Sequence, residues 1–507
     1  MPAGESEFMK TMAKDSRASA GPGAPSQGIP DRRAVPTGHL ERALGKPRAT
    51  WTADDLVRFV QERGIRLVTL MHAGGDGWIK TLDFVPESPA HLADILSGGE
   101  RADGSSLMSG LTRGASDIVL RPRLETAFID PFSPFPTLAL LSSHFNREGE
   151  PLAQSPDTIV HRAYERVLGE LGVDLWALGE VEYFLGKRAS DEDVYGVADS
   201  GYHASSPFVF GEALRREALV LLADMGVPIK YGHSEVGAID TRPVDGMIWE
   251  QHEIELLLTP LPRAADSVML TRWVLQNLAR RQGFQCTFAP VVREGHAGNG
   301  LHFHFSPRVD GEHMGGMDEH GSLAPSAQWL IGGLVQFGGA LMAFGNREHT
   351  SFLRLTQGKE APTSVTWGRY DRQALVRLPI VAKGPDGRPV TPPTIEFRLA
   401  DGSAHPHLLL AGIAQAMAQG QRTEGLADIL RETASGRGGA AAQGMADAAG
   451  AAEAAGAAQT SRDEARSVAH RPAQVAAALR NHRDVFEAAG VFPPALLDTV
   501  LAQFEGR

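Results

Sequence analysis

The chain has 507 residues, 42% hydrophobic and 22% charged, the make-up of an ordinary globular protein with room for more than one domain. Its 61 acidic against 49 basic residues leave a formal charge of −12, which excludes nucleic acid as the main partner, because phosphate binding calls for a basic surface. Cys286 is the only cysteine, so neither a disulfide framework nor a cysteine-based zinc site can be built, and a reducing cytoplasm fits.

In chain order, residues 1–45 read as a disordered tail, rich in Gly, Pro, Ala and Ser up to about Thr37 and lacking the apolar stretch of a secretion signal. Thr52 followed by Asp54 and Asp55 is a helix start. Ile65–Met71 reads as a strand, Gly74–Gly77 as a turn and Trp78–Phe84 as the hairpin partner, within a small β-rich unit over 46–135. Residues 136–507 then mix strands and helices, an α+β pattern. Thr158–Leu171, Phe210–Met225, Ala265–Gln282 and Pro325–Phe344 are helical in pattern, and Leu175–Leu185 is a strand. Apolar runs such as Leu219–Ala223 are short, so no membrane span is expected. An Ala/Gly-rich segment at about 435–460 reads as a mobile insertion, and Pro472–Phe504 returns to an amphipathic helical pattern.

The informative feature is a set of ionisable residues two apart on strand-like segments: Glu180 with Glu182, Glu253 with Glu255, His302 with His304, and Glu396 with Arg398. Residues two apart on a strand share a face, while their apolar neighbours point to the other. Any one such pair is what a solvated sheet face looks like. Four pairs flanked by Tyr183, Phe184, Phe303, Phe305 and Phe397 point instead to one acidic face inside a large domain. Converging carboxylates repel, and oxygen-rich ligation of Mg²⁺ or Mn²⁺ offsets that repulsion. Such ions serve phosphoryl chemistry. Arg354, Arg372, Arg377 and Arg398 are either structural ion-pair partners or forks for phosphate and carboxylate groups. No P-loop and no dinucleotide fingerprint is present, and the glycines at 74–77 and 298–300 are weak signals.

From about Thr52 to the C-terminus, eight short segments in order resemble the glutamine synthetase family, in particular its bacterial type I members. They are Asp103-Gly104-Ser105-Ser106, Ile129 to Phe132, Glu180-Val181-Glu182, His233 to Val236, Gln251-His252-Glu253, Asn299 to His304, Arg354 to Glu360, and Ile395 to Arg398. The resemblance implies a small N-terminal β-grasp domain before a large catalytic domain with a curved antiparallel sheet flanked by helices. It implies two metal sites, one from Glu182, Glu235 and Glu253, the other from Glu180, His302 and Glu396. Arg354 and Arg398 would hold the carboxylates of glutamate, Arg372 and Arg377 the phosphates of ATP, and His304 and Ser306 would line the nucleotide pocket. The Gly298 carbonyl would receive the substrate amine, Asp103 and Tyr202 the ammonium, and Glu360 would sit on a flap over the intermediate.

The implied reaction joins ammonium to glutamate at the expense of ATP, in a cytoplasmic homo-oligomeric ring whose active sites are shared between subunits. Three departures stand out: Ala297 replaces an asparagine, the stretch between Glu235 and Glu253 is long, and Thr394 replaces a basic residue. The first two admit a polyamine or another amine as acceptor in place of ammonia. No counterpart of the adenylylated tyrosine segment is found, and regulation by that modification is not expected.

Overall fold

The computed structural model describes residues 38–108, 111, 116–190, 193, 197–318, 320–357, 359, 361–435 and 468–506. The expected tail up to residue 37, nearly all of the Ala/Gly insertion, and Glu360 lie outside the described residues. Order begins earlier than the sequence pattern indicates, because His39–Leu44 is a helix with Leu40 fully buried. Helix Ala53–Glu62 starts where expected: the Thr52 side chain accepts from the Asp55 amide while Asp55 accepts from Thr52, a capping box that contributes about 1 kcal/mol.

Six strands make the first sheet: β1 (Leu67–Ala73), β2 (Ile79–Phe84), β3 (Glu100–Asp103), β4 (Asp117–Pro122), β5 (Phe128–Ile129) and β6 (Thr137–Phe145). Their order is β2-β1-β6-β4-β3, with β5 beside β6. β1 and β2 form the expected hairpin around Gly74–Gly77, and β6, past residue 135, is the central strand, parallel to β1. Leu56, Phe59, Leu70, Ile95 and Leu140 form a separate core beneath this sheet.

The second sheet has ten strands: β7 (Asp174–Arg188), β8 (Ile229–Asp240), β9 (Met247–Leu256), β10 (Thr259–Pro260), β11 (Gln285–Thr287), β12 (Leu301–Val309), β13 (Glu312–His313), β14 (Ser364–Arg369), β15 (Ala374–Leu378) and β16 (Ile395–Phe397). The main order is β14-β15-β16-β12-β7-β9-β8, antiparallel except for β14 with β15. Helices Pro156–Leu171, Leu261–Gln282, Pro325–Gly345 and Pro406–Arg422 bury its apolar side. Pro325–Gly345 is long and apolar enough to cross a membrane, a feature the short-run reading overlooked, but 78% of its apolar window is buried inside the protein. Residues Pro472–Glu505 form three helices and a 3-10 turn, with Val475, Leu479, Val485 and Phe486 buried as the pattern indicates.

The long stretch between Glu235 and Glu253 is not a free loop. It extends β8 and β9 as a hairpin closed by the one-turn helix Arg242–Asp245.

Candidate active site

Strand pairing places the charged residues opposite one another on a single face of the large sheet. Glu253 of β9 lies opposite Glu182 of β7 and His233 of β8, and Glu255 lies opposite Glu180. Glu180 in turn faces His302 of β12, His304 faces Glu396 of β16, and Glu396 faces Arg377 of β15. Directly paired residues share a face, so six strands deliver charge to one surface. Between Ser234 and Ala238 the β8 register shifts against β9, a bulge that re-aims Glu235.

Two clusters result whose donor atoms lie within 4.8 Å of one another: Glu180, His304 and Glu396, and His233, Glu235 and Glu253. Glu180 meets His302 Nδ1 at 3.1 Å and His304 Nε2 at 2.9 Å. His302 Nδ1 also stands 3.8 Å from Glu396 and 3.9 Å from Glu182, which lies in neither cluster. Glu182 Oε2 accepts from the Gly300 amide at 2.8 Å and from Gln251 Nε2 at 2.9 Å, which aims its other oxygen toward His302. Glu396, 0% exposed, is matched by Arg398 and Arg377.

Glycine is required at two positions here. A Cβ on Gly298 would come within 2.2 Å of the Pro290 carbonyl oxygen, and one on Gly300 within 2.6 Å of His302 Nε2 and 2.9 Å of Glu182.

The electrostatics follow from crowding. Burial and the neighbouring acids Glu180, Glu182, Glu235 and Glu255 hold the Glu253 carboxyl well above the usual carboxylate range. Burial would also raise Glu180, but His304 and His302 override it and hold the group well below that range. Glu396 is likewise lowered against burial, by His304, Arg398 and Arg377. Burial depresses His233, keeping its imidazole neutral and its lone pair available. Against burial, the Glu180 and Glu396 carboxylates raise His304 instead, and imidazole nitrogens among crowded carboxylates are a donor set that fits divalent cations. The residues present therefore suit the implied metals.

A small cavity of about 130 Å³ opens on this centre, lined among others by Glu180, Glu182, Tyr202, Glu235, Glu253, Ala297, Gly298, Glu396 and Arg398. A larger one of about 560 Å³ adjoins it, with Trp176, Tyr370, His304, His313 and Thr394 in its walls. Glu180, Tyr231, Arg372 and Arg377 line both. Tyr202 stacks on His203, with ring centroids 4.3 Å apart, and meets His233 edge-on at 5.2 Å. His203 holds a left-handed backbone, φ +58°, a strained conformation for a non-glycine residue beside a site.

Not every expected residue reaches these cavities. Arg354 is buried, and its guanidinium faces the Leu399 and Ala400 carbonyls at 3.2 and 3.3 Å and His302 Nε2 at 3.4 Å. The Ser306 hydroxyl donates to the Pro393 carbonyl at 3.0 Å and meets His313 Nδ1, and Ser306 lines neither cavity. The Gly298 carbonyl accepts from Gln251 at 3.1 Å. Asp103 is exposed at the end of β3, where hydrogen bonds from Ser105 and Ser106 lower its carboxyl to about 2. Its partners are Ser105, Ser106 and Ser116, and it lines neither cavity, so this chain does not bring it to the carboxylate cluster.

Sequence reasoning missed His233 as a donor, although its place two residues before Glu235 on one strand was the signal. It also missed Gln251 as the residue that orients Glu182. Thr394, which stands where the family has a basic residue, meets His304 Nδ1 at 2.9 Å and so fixes that ring.

Residues 153–428 match the family model described as "Glutamine synthetase, catalytic domain". A glutamine synthetase of Azospirillum brasilense is 30% identical over 392 residues, covering 71% of this chain and 76% of that protein. In fold, the chain is similar to a Plasmodium falciparum glutamine synthetase at TM-score 0.71 and 18% identity, covering 90% of this chain and 95% of the other. It is also similar to the ligand-free structure of GmaS, at TM-score 0.67 and 20% identity, covering 89% and 96% respectively. With an acidic centre and an adjoining large cavity on the fold these relatives share, the chain belongs to the glutamine synthetase family of ATP-dependent ligases.

Proposed function

We propose that the chain joins ammonia to the γ-carboxylate of glutamate through γ-glutamyl phosphate, giving glutamine, ADP and phosphate, in the cytoplasm. The observation that carries this reading is the position of Arg372 and Arg377, which border both the carboxylate centre and the large cavity beside it. A nucleotide in the 560 Å³ cavity would place its terminal phosphate between those arginines and the carboxylates.

Mg²⁺ or Mn²⁺ would be held by Glu182, Glu235 and Glu253 with His233, and by Glu180, His302 and Glu396 with His304. Bound there, the ions supply charge neutralisation and polarise the transferring phosphoryl group. Arg372 and Arg377 hold the phosphates, with His304 on the nucleotide side, while Arg398 binds and orients a carboxylate of glutamate. The γ-carboxylate oxygen attacks the terminal phosphorus, the bond to the β-phosphate oxygen breaks, and ADP leaves. Asp103, in a ring of identical chains, reaches the neighbouring subunit's site beside Tyr202 and takes a proton from ammonium. Ammonia then attacks the acyl carbon and phosphate departs, with the segment bearing Glu360 excluding water from the acyl phosphate.

A second reading keeps the chemistry and changes the acceptor to a polyamine or another organic amine. Two observations favour it. Ala297 lines the centre where the family has an asparagine, and a cavity of about 360 Å³ walled by Val197, Phe208, Val209 and Phe210 lies behind Glu235 and Gln251, with room for an apolar tail. The deciding experiment is ADP release with glutamate and, in turn, ammonium, putrescine, spermidine and ethanolamine. Ammonium as the best acceptor supports the first reading; ammonium as the poorest replaces it with the second.

A further inference from the structure

Away from the reaction centre, a cavity of about 340 Å³ lies between the β1–β2 turn and the start of helix His349–Thr356. Arg272, from helix Leu261–Gln282, reaches it and is 2% exposed. Its Nη1 donates to the Ala404 carbonyl at 2.9 Å. Its Nε and Nη2 have no hydrogen-bond partner. Those two nitrogens form one edge of the guanidinium, where parallel N–H bonds match the two oxygens of a carboxylate or phosphate. The Trp78 and Phe288 rings stand 5.9 and 5.6 Å from Cζ and hold the plane while leaving that edge open.

No acid among the described residues takes the edge. Among the described residues Arg272 forms no ion pair, although Asp76 and Glu348 also line the cavity. Asp76 is paired with Lys80 at 2.6 Å, and Glu348 caps the helix that follows it. Buried Asp401 accepts from Asn346 and Ser403. Arg347 adds a second guanidinium to the lining. A buried guanidinium with an open fork is costly unless an anion completes it.

We propose that this cavity binds a small oxyanion, a carboxylate or phosphate group held bidentately by Arg272 with Arg347 beside it, at a site separate from the reaction centre. Its occupation bears on that centre, because the Thr287 and Ala289 carbonyls in the cavity wall accept from Asn299 Nδ2 at 3.3 and 3.0 Å. Asn299 lies between Gly298 and Gly300, so an anion that orders this wall modulates turnover.

The test follows the fluorescence of Trp78, taken as the difference between the full-length protein and its Trp78→Phe variant, so that anions in the reaction centre do not register. Succinate and inorganic phosphate are titrated separately to about 10 mM, ten times a dissociation constant of about 1 mM. A saturable change with succinate alone marks a carboxylate site, and with phosphate alone a phosphate site. Arg272→Met should abolish the change, and Arg272→Lys, which keeps charge but loses the fork, should weaken it about tenfold. The Lys variant decides should the Met variant fail to fold. No response to either anion, or an undiminished response in both variants, overturns the proposal.

Discussion

Glu396 and Arg377 face each other on neighbouring strands, and Arg377 Nε lies 2.5 Å from Glu396 Oε2. The most deeply buried carboxylate of the cluster therefore has an arginine partner that also borders the nucleotide-sized cavity. Glu396→Ala removes a donor and leaves the Arg377 and Arg398 guanidinium groups without it. ADP release dependent on glutamate should fall at least about 10²-fold, with stability lowered by roughly 3–5 kcal/mol. Glu396→Gln keeps the shape, so unaffected turnover in that variant would refute the role of this carboxylate.

Arg377→Met tests the other partner. An arginine that holds a transferring phosphate should cost about 10²–10³ in kcat when removed, with a higher KM for ATP and little change in KM for the amine. Steady-state kinetics with each substrate varied separates these. A merely structural arginine would lower the melting temperature while leaving the KM for ATP unchanged.

Asp103 is exposed, with Ser105, Ser106 and Ser116 as its partners and no place in either cavity, which suits a residue that acts in a neighbouring subunit. Asp103→Asn and Glu396→Ala chains should each be inactive alone. Mixed after dissociation and reassembled in equal amounts, they should recover about one quarter of the parental activity, because head-to-tail sites take one half from each neighbour. No recovery in mixed oligomers, or full activity in a monomer, would show that sites are not shared.

The His72–His144 pair predicts an acid limb in stability. Their Nδ1 and Nε2 meet at 3.0 Å inside the first sheet, and burial lowers the two imidazoles to about 4 and about 3. Both folded values lie below 6.5, so between 6.5 and about 3 the unfolded chain binds protons that the folded chain refuses. The stabilisation is present above pH 6.5 and is lost as pH falls toward those values. Each group should contribute a slope of about 1.4 kcal/mol per pH unit in that window. Urea unfolding at pH 7 and pH 5 should show a smaller drop for the His72→Gln/His144→Gln double variant; an equal drop would contradict the assignment.

Much of the large sheet was legible because alternation is a local signal. Glu180, Glu182, His302 and Glu396 announce a shared face through spacing alone, and strand pairing then brings them together. His233 could have been read the same way, whereas the bulge after Ser234 that re-aims Glu235 leaves no local mark. Arg354 and Ser306 show the opposite limit: residue type suggests a ligand contact, but the partners are backbone carbonyls supplied by distant segments. The role of Thr394 depends on His304, ninety residues away in sequence, which its hydroxyl meets across the sheet. The buried helix Pro325–Gly345 was underestimated because its glycines break the apolar run that the tertiary core then buries.

The most direct test of the account is the number of Mn²⁺ ions bound per chain, measured by calorimetric titration of metal-stripped protein. Two clusters predict two saturable sites in the parent and one in the Glu253→Gln variant, which should also be more stable than the parent without metal, because it removes a carboxyl whose ionisation burial and neighbouring acids oppose. No saturable binding, or two unaltered sites in that variant, would contradict it.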